Sequence, residues 1–94
     1  MERAIFKYML SPPGAVSRVE MPYGSKIVHF DYQGGLPTVW ALTAKSMNPE
    51  LRTFVVLGTG HKIRDNLVYV GTTMHDPPYV WHLFEVINGE ARKN

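Results

Sequence analysis

The sequence contains no cysteine among its 94 residues. A disulfide framework and a thiolate metal site are therefore both excluded, because each needs cysteine sulfur. Long apolar runs are also missing: the opening MERAIFKYML has charges inside a short apolar patch. No stretch approaches the ~20 apolar residues that a membrane-spanning helix needs. We expect a chain without a signal peptide or membrane partner, located in the cytoplasm.

Charged residues are scarce as well, at 19% of the chain, and the formal net charge is only +2. The basic residues are scattered, with no basic run of five or more. A protein that binds duplex DNA without sequence preference needs a basic stripe that displaces counterions from phosphates. We therefore expect no duplex nucleic acid partner, whereas a small anion held by one or two cations is compatible with this charge.

Apolar residues, in contrast, make up 45% of the chain. A chain of this length forms one domain, and a small domain exposes a large share of its surface. With few charges to cover that surface, we expect some apolar area to be shared with a second copy or another protein, which predicts a homo-oligomer. The single domain spans residues 1–94, with a frayed tail over 87–94.

Apolar and polar residues alternate in seven short segments, which is the pattern of β-strands. Glycine, proline and polar residues separate them, and the one place that favours a helical turn is the segment 48–50. We therefore predict an all-β fold, a small antiparallel β-sandwich or barrel of about seven short strands. The predicted strands are 3–10, 16–21, 26–33, 36–44, 51–57, 67–74 and 79–87.

Two of the intervening turns predict strand pairs. SPPGA at 11–15 predicts a hairpin of the first two strands, since prolines and glycine end the pairing and reverse the chain. GG at 34–35 predicts a hairpin of the third and fourth strands, because both glycines take positive φ without strain. The fourth strand, LPTVWALTA, is apolar on both faces, which predicts a central position.

The loop GTGHKIRDN at 58–66 has the composition of an anion-binding site. Its two glycines allow successive backbone N–H groups to point into one concavity, and its threonine and cations add donors and charge. The loop matches neither the P-loop GxxxxGK[ST] nor the dinucleotide motif GxGxxG. The alternative interpretation of this segment is an ordinary glycine-rich β-turn with an exposed histidine.

We predict a ligand-binding set from this loop together with one further cation and one aromatic residue. Most aromatic residues alternate into the core, but three are candidates for stacking on a nucleobase: Tyr8, Tyr32 and Trp40. The predicted set comprises Gly58, Thr59, Gly60, His61, Lys62, Arg64, Arg52 and Trp40.

Four histidines lie in four segments, and the sequence leaves open whether they meet: His29, His61, His75 and His82. His82 lies in an apolar strand, where we expect its two ring nitrogens to have hydrogen-bond partners. His29 and Asp31 share a strand face and could orient a base or bind a metal, although a solvated face is the commoner case. Neither HExxH nor GxSxG is present, so we predict no catalytic residues, metal or cofactor.

Four stretches carry a resemblance to a known family: IFKYML, VEMPYGSKIVHFDYQGGLPTVWAL, RTFVVLGTGHKI and YVGT with YVWHLFE. Over almost the whole chain they resemble short phage-encoded proteins known as a domain of unknown function. The pattern of that family is IFKY, MPxGAxI, PxxWAL, ExRxF, GTGHxI and a final FE. Ser25 stands where alanine is usual, and none of these motifs is a signature of any chemistry.

The resemblance implies a phage origin and the cytoplasm of an infected host cell. Small phage proteins often antagonise bacterial defence, some as oligomeric sponges for a nucleotide signal and others by covering a defence protein. Our first hypothesis is therefore a non-enzymatic, homo-oligomeric protein that sequesters a small anionic, nucleotide-type signal at subunit boundaries. The alternatives are an inhibitor of a host defence protein, and a small hydrolase of a nucleotide signal that uses His61 or His29.

Overall fold

A computed structural model describes residues 2–87, which form seven β-strands and no helix. The strands are β1 (Arg3–Met9), β2 (Val16–Pro22), β3 (Lys26–Gln33), β4 (Leu36–Ala44), β5 (Pro49–Gly58), β6 (Leu67–Met74) and β7 (Val80–Val86). The predicted all-β fold of seven short antiparallel strands is confirmed. Of the predicted frayed tail, only Ile87 lies within the described residues. Over this part of the chain, no helix could span a membrane.

The strands form two antiparallel sheets that pack face to face as a sandwich. One sheet has three strands in the order β1-β4-β3, and the other has four in the order β2-β5-β7-β6. The core lies between the sheets and draws its buried residues from both: Leu10, Met21, Phe30, Val39, Ala41, Phe54, Val56 and Leu83. The central position predicted for β4 is confirmed.

The predicted hairpin of the first two strands is wrong. β1 pairs with β4 and β2 pairs with β5, so the SPPGA segment carries the chain from one sheet to the other. Pro12 and Pro13 donate no hydrogen bond that could extend a ladder, and their fixed φ suits a crossover as well as a reversal. Hydrogen bonds from Ser11 N–H to Ser17 Oγ (2.7 Å) and from Gly14 N–H to the Val56 carbonyl (2.9 Å) hold the crossover in place.

The predicted helical turn at 48–50 is also wrong. β5 begins at Pro49, which pairs with Pro22, and Tyr23 N–H donates to the Asn48 carbonyl (2.7 Å). Proline is tolerated here because the first residue of a strand needs no N–H for the ladder.

The Gly-Gly hairpin between β3 and β4 is confirmed. Gly34 and Gly35 have φ values of 61° and 80°, as a two-residue type I′ turn requires. The turn fixes the register in which Gln33 pairs with Leu36. It thereby places Tyr32 beside Pro37 at one end of the sandwich.

Candidate functional site

The loop 58–66 begins with a tight β-turn. His61 N–H donates to the Gly58 carbonyl (3.1 Å), and Gly60 has a φ of 93°. A positive φ at the third position of a turn is the mark of type II, which explains why glycine stands there. The His61 ring folds back on the turn, and its Nδ1 accepts a hydrogen bond from Gly58 N–H (3.0 Å).

Three of the four backbone N–H groups of this turn donate to acceptors within the chain. Gly58 N–H donates to the His61 ring, His61 N–H closes the turn, and Thr59 N–H donates to the Val80 carbonyl (3.3 Å). A phosphate could use these groups only by displacing their present acceptors. Of the two interpretations of GTGH, the geometry therefore favours the β-turn over the open anion-binding concavity.

Beyond the turn, the loop crosses the outer face of the four-stranded sheet and forms a cavity with it. This sheet–loop groove has a volume of about 770 Å³. Its floor consists of apolar side chains from all four strands of the sheet, namely Val16, Val55, Leu57, Leu67 and Val86. Its rim consists of Gly14, Lys62, Ile63, Arg64 and Asn66.

The loop acts as a third layer over the sandwich. Val55 alternates with the core residues Phe54 and Val56, so its side chain lies on the outer face of the sheet. It is nevertheless only 8% exposed, as is its cross-strand partner Phe84. Tyr69 completes the cover, with its ring edge-on to Phe84 at 6.0 Å between centroids.

The charge of the groove is positive. Of the groove-lining residues, only Lys62 and Arg64 are charged, and neither forms a salt bridge within residues 2–87. Both side chains are exposed at the rim, above the apolar floor. An apolar surface bordered by two unpaired cations suits a ligand with an apolar body and an anionic group.

A hydrogen-bonded chain of three hydroxyl groups and the His82 ring connects the loop to the sheet beside the groove. His82 Nε2 lies 2.8 Å from Thr59 Oγ1, and its Nδ1 lies 2.9 Å from Thr72 Oγ1. The Tyr69 hydroxyl continues the chain, 2.7 Å from Thr72 Oγ1. The expectation that both ring nitrogens of His82 have partners is thus confirmed, and the ring serves to anchor Thr59.

Aromatic rings from β3, from β7 and from the segment between β6 and β7 gather at one end of the sandwich. The Trp81 ring lies 6.5 Å from Tyr32 and 6.2 Å from Tyr79, and Tyr32 stacks on His75 at 4.0 Å with parallel planes. This aromatic corner borders an open, shallow cavity of about 440 Å³, lined by Pro13, Tyr32, His75, Asp76, Tyr79 and Trp81. A neighbouring cavity, also about 440 Å³, shares Tyr79 and Trp81 and reaches Gly58, Thr59 and His61.

The structure therefore does not bring the predicted site residues together in one site. Lys62 and Arg64 line the sheet–loop groove, whereas the turn from Gly58 to His61 borders the cavity beside Trp81. Trp40 lies on the outer face of the three-stranded sheet, 5.2 Å from the His29 ring.

Arg52 is engaged elsewhere, inside the sandwich. Its Nε and Nη2 each donate to Glu85 at 2.8 Å, and Nη1 donates to the Ser25 carbonyl. The hydrogen bonds to Glu85 raise the pKa of Arg52 above its usual value. The guanidinium is therefore not available to a ligand at the loop.

The four histidines lie in separate surroundings. His29 faces Trp40 and comes within 3.8 Å of Asp31, while His75 stacks on Tyr32. His61 and His82 bind backbone and hydroxyl groups at the loop. Over residues 2–87, no three histidine or carboxylate side chains are grouped closely enough to hold a metal ion.

Sequence reasoning missed the groove floor and most of the aromatic corner. The floor residues read as ordinary strand residues, because only the path of the loop turns them into a cavity. Tyr79 and Trp81 carried a signal that was available: two aromatic residues spaced by two at the start of a strand project to one face.

A family model with the description "domain of unknown function (DUF7352)" matches residues 1–94. No curated protein and no solved structure matches the chain. Since the match covers the full sequence, the predicted membership of a family of unknown function is confirmed. The chain belongs to the DUF7352 family.

Proposed function

We propose that this protein is a non-enzymatic binding protein that holds a small amphipathic anion in the sheet–loop groove. The observation that carries the proposal is the apolar floor beside two cations that form no salt bridge within residues 2–87, Lys62 and Arg64. The volume of about 770 Å³ lies within the range of small-molecule sites.

A nucleotide-type ligand fits this chemistry. Its base would lie on the floor formed by Val55 and Leu57, where burial of a flat apolar surface is favourable. Its phosphate would face the rim, where the Arg64 guanidinium offers a bidentate fork and Lys62 offers a mobile point charge. The backbone donors of the GTGH turn are not needed for this arrangement.

We extend the proposal to counter-defence on the strength of the family resemblance. The ligand would be a nucleotide signal of the bacterial host, and the protein, encoded by a phage, would sequester it in the cytoplasm of the infected cell. Sequestration requires tight binding and return of the signal intact. It therefore differs in outcome from hydrolysis, for which His61 or His29 would have to act on the ligand.

Self-association belongs to the same proposal. The outer face of the three-stranded sheet exposes Ile5 (57%) and Met9 (45%), which lie beside the half-buried Leu42 and Trp40. In a ring, this face of one copy would lie over the groove of the next and enclose the ligand at the subunit boundary. The same exposed face also favours the second candidate function, an inhibitor that covers the surface of a host defence protein.

The test is a thermal-shift series with linear and cyclic nucleotides on the wild type and on the double variant K62Q/R64Q. A ligand at ~100 times its dissociation constant adds about 2.7 kcal/mol to the unfolding free energy, so a true ligand raises Tm clearly. The double variant should lose this shift. The matched control R18Q/K45Q removes the same charge from exposed positions that neither line the groove nor lie on the outer face of the three-stranded sheet, and it should keep the shift.

Chromatography of each ligand after denaturing the protein separates the alternatives. An intact nucleotide supports sequestration, and a cleaved one supports the hydrolase. No shift with any nucleotide, or an equal loss in both double variants, would overturn the proposal. Size-exclusion chromatography of the protein alone tests the oligomer independently.

A further inference from the structure

The aromatic corner has a charge opposite to that of the sheet–loop groove. Among residues 2–87, Asp76 is the one acidic residue of its lining, which contains no lysine or arginine. A second carboxylate, Asp31, lies directly behind it, where it accepts a hydrogen bond from the Tyr32 N–H (2.8 Å). The corner therefore combines aromatic faces with negative charge.

Asp31 stays ionised at neutral pH. Its Oδ1 accepts hydrogen bonds from the Thr73 hydroxyl (2.7 Å) and the Tyr32 N–H (2.8 Å). These bonds lower the pKa of Asp31 below its usual value. The corner thus has two carboxylates near its rings, Asp76 in the lining and Asp31 behind it.

The Trp81 ring is held in place by packing rather than by its polar group. Its Nε1 is buried and has no hydrogen-bond partner within residues 2–87. A buried indole N–H normally finds an acceptor, since leaving it unpaired is costly. On its other side the ring lies so close to Gly58 that a Cβ there would be 3.1 Å from Cζ3. This close packing against Gly58 restricts the movement of the Trp81 ring and keeps it beside Tyr79 and Tyr32.

The loop that carries the Asp76 carboxylate has a defined backbone conformation. Asp76 has a φ of 55°, in the left-handed region that asparagine and aspartate occupy more readily than other side chains. The His75 N–H and the Tyr79 carbonyl, 3.3 Å apart, close this loop under the rings. The carboxylate and the Tyr79 ring are therefore presented from one short, closed segment.

We propose that the aromatic corner binds the methylated ammonium group of an organic cation. The faces of Tyr79 and Trp81 would contact the methyl groups, because the negative face of an aromatic ring attracts a cation. The Asp76 carboxylate would supply the opposite charge. This site is independent of the anion site in the sheet–loop groove, so either proposal can fail alone.

The probe is choline, followed through tryptophan fluorescence in the W40F variant, in which Trp81 is the remaining tryptophan. The comparison ligand is its neutral isostere, with a tert-butyl group in place of the trimethylammonium group. We expect a saturable change with choline and binding of the isostere weaker by about tenfold or more, because it lacks the charge. Equal binding of the two, or no saturable change with choline, would overturn the proposal.

Variants locate the site. D76N keeps a residue that tolerates the left-handed backbone and should weaken choline binding several-fold without changing binding of the isostere. The matched control is D65N, which removes an exposed carboxylate from the other loop and should leave choline binding unchanged. Y79L should weaken binding, whereas Y79F should retain it because the ring face is kept. An equal effect of D76N and D65N would show general charge attraction and would contradict the proposed site.

The source of the ammonium group is tested by a short peptide containing trimethyllysine. Tighter binding of the peptide than of choline would identify the side chain of a partner protein. Binding of choline at least as tight would identify a free amine. In both cases the D76N effect must appear, and its absence would overturn the proposal.

Discussion

Arg52 and Glu85 form a bidentate ion pair on the inner face of the four-stranded sheet. Nε–Oε2 and Nη2–Oε1 are both 2.8 Å, and the two side chains are only 16% and 15% exposed. The third guanidinium nitrogen, Nη1, donates to the Ser25 carbonyl in the turn before β3. The guanidinium also lies 5.8 Å from the centre of the Phe54 ring. The pair thus links β5 to β7 and both to the opposite sheet.

We predict that breaking this pair from either side destabilises the protein. E85Q leaves a buried guanidinium without its charge partner, and R52M leaves a buried carboxylate, so each should lower the unfolding free energy by about 3 kcal/mol. Urea unfolding measures the loss. The double variant R52M/E85L should be more stable than either single variant, because no uncompensated charge remains. A double variant as unstable as the sum of the single ones would contradict this account.

We predict that a methyl group at Gly58 disturbs the site, whereas one at Gly71 is tolerated better. A Cβ at Gly58 would lie 3.1 Å from Trp81 Cζ3 and 3.3 Å from His61 Cε1, but one at Gly71 would lie 3.5 Å from Phe30 Cβ. The first distances require the rings to move, so G58A should cost roughly 1–3 kcal/mol, as overpacking does. G71A should cost less, since its contact is an ordinary one.

Thermal unfolding measures both glycine variants, and Trp81 fluorescence in the W40F background reports on the ring. We expect a fluorescence change in G58A and none in G71A. Equal stability of the two variants together with unchanged fluorescence would show that the Trp81 ring is not wedged against the turn.

We predict that Thr59 holds the loop down on the sheet. Its hydroxyl bonds to His82 at 2.8 Å and contacts the Val80 carbonyl at 3.5 Å. T59V removes a bond worth about 1 kcal/mol, so the loop should open more often. Trypsin cleavage after Lys62 and Arg64, followed by mass spectrometry, should become several-fold faster.

T72V is the matched control for the loop. It removes the hydroxyl between His82 and Tyr69 but leaves the bond from Thr59 to His82 in place. Cleavage in T72V should therefore stay closer to the wild type than cleavage in T59V. The reverse order would show that the sheet side of the hydroxyl chain, rather than Thr59, positions the loop.

The alternation of apolar and polar residues was sufficient to predict the strands but not their partners. Period two marks a strand and its faces, and all seven predicted segments differ from the observed strands by at most two residues at either end. Segment 51–57 omits Pro49 and Glu50, the first two residues of β5, because Pro49 also fits the start of a helical turn. Pairing depends on turns, and SPPGA could not distinguish a hairpin from a crossover.

The site was less predictable, because it depends on the path of one loop in three dimensions. Lys62 and Arg64 were identified from their charge, and they do line a cavity. Arg52 was grouped with them for the same reason, but its position on the inner face of β5 pairs it with Glu85. The glycines are compatible in sequence with both an anion-binding loop and a β-turn, and the hydrogen bond from Gly58 N–H to the His61 ring favours the turn.

We predict that Asp31 makes stability depend on pH in the acid range. Its hydrogen bonds from Thr73 and Tyr32 lower its folded pKa below the usual value of 3.8, so the ionised form favours the folded state. This contribution is fully present above the unfolded pKa and is lost as pH falls through the lowered folded pKa. The Tm advantage of the wild type over D31N should therefore be constant near neutral pH and shrink below about pH 4. A wild-type advantage that grows on acidification would contradict the stated sign.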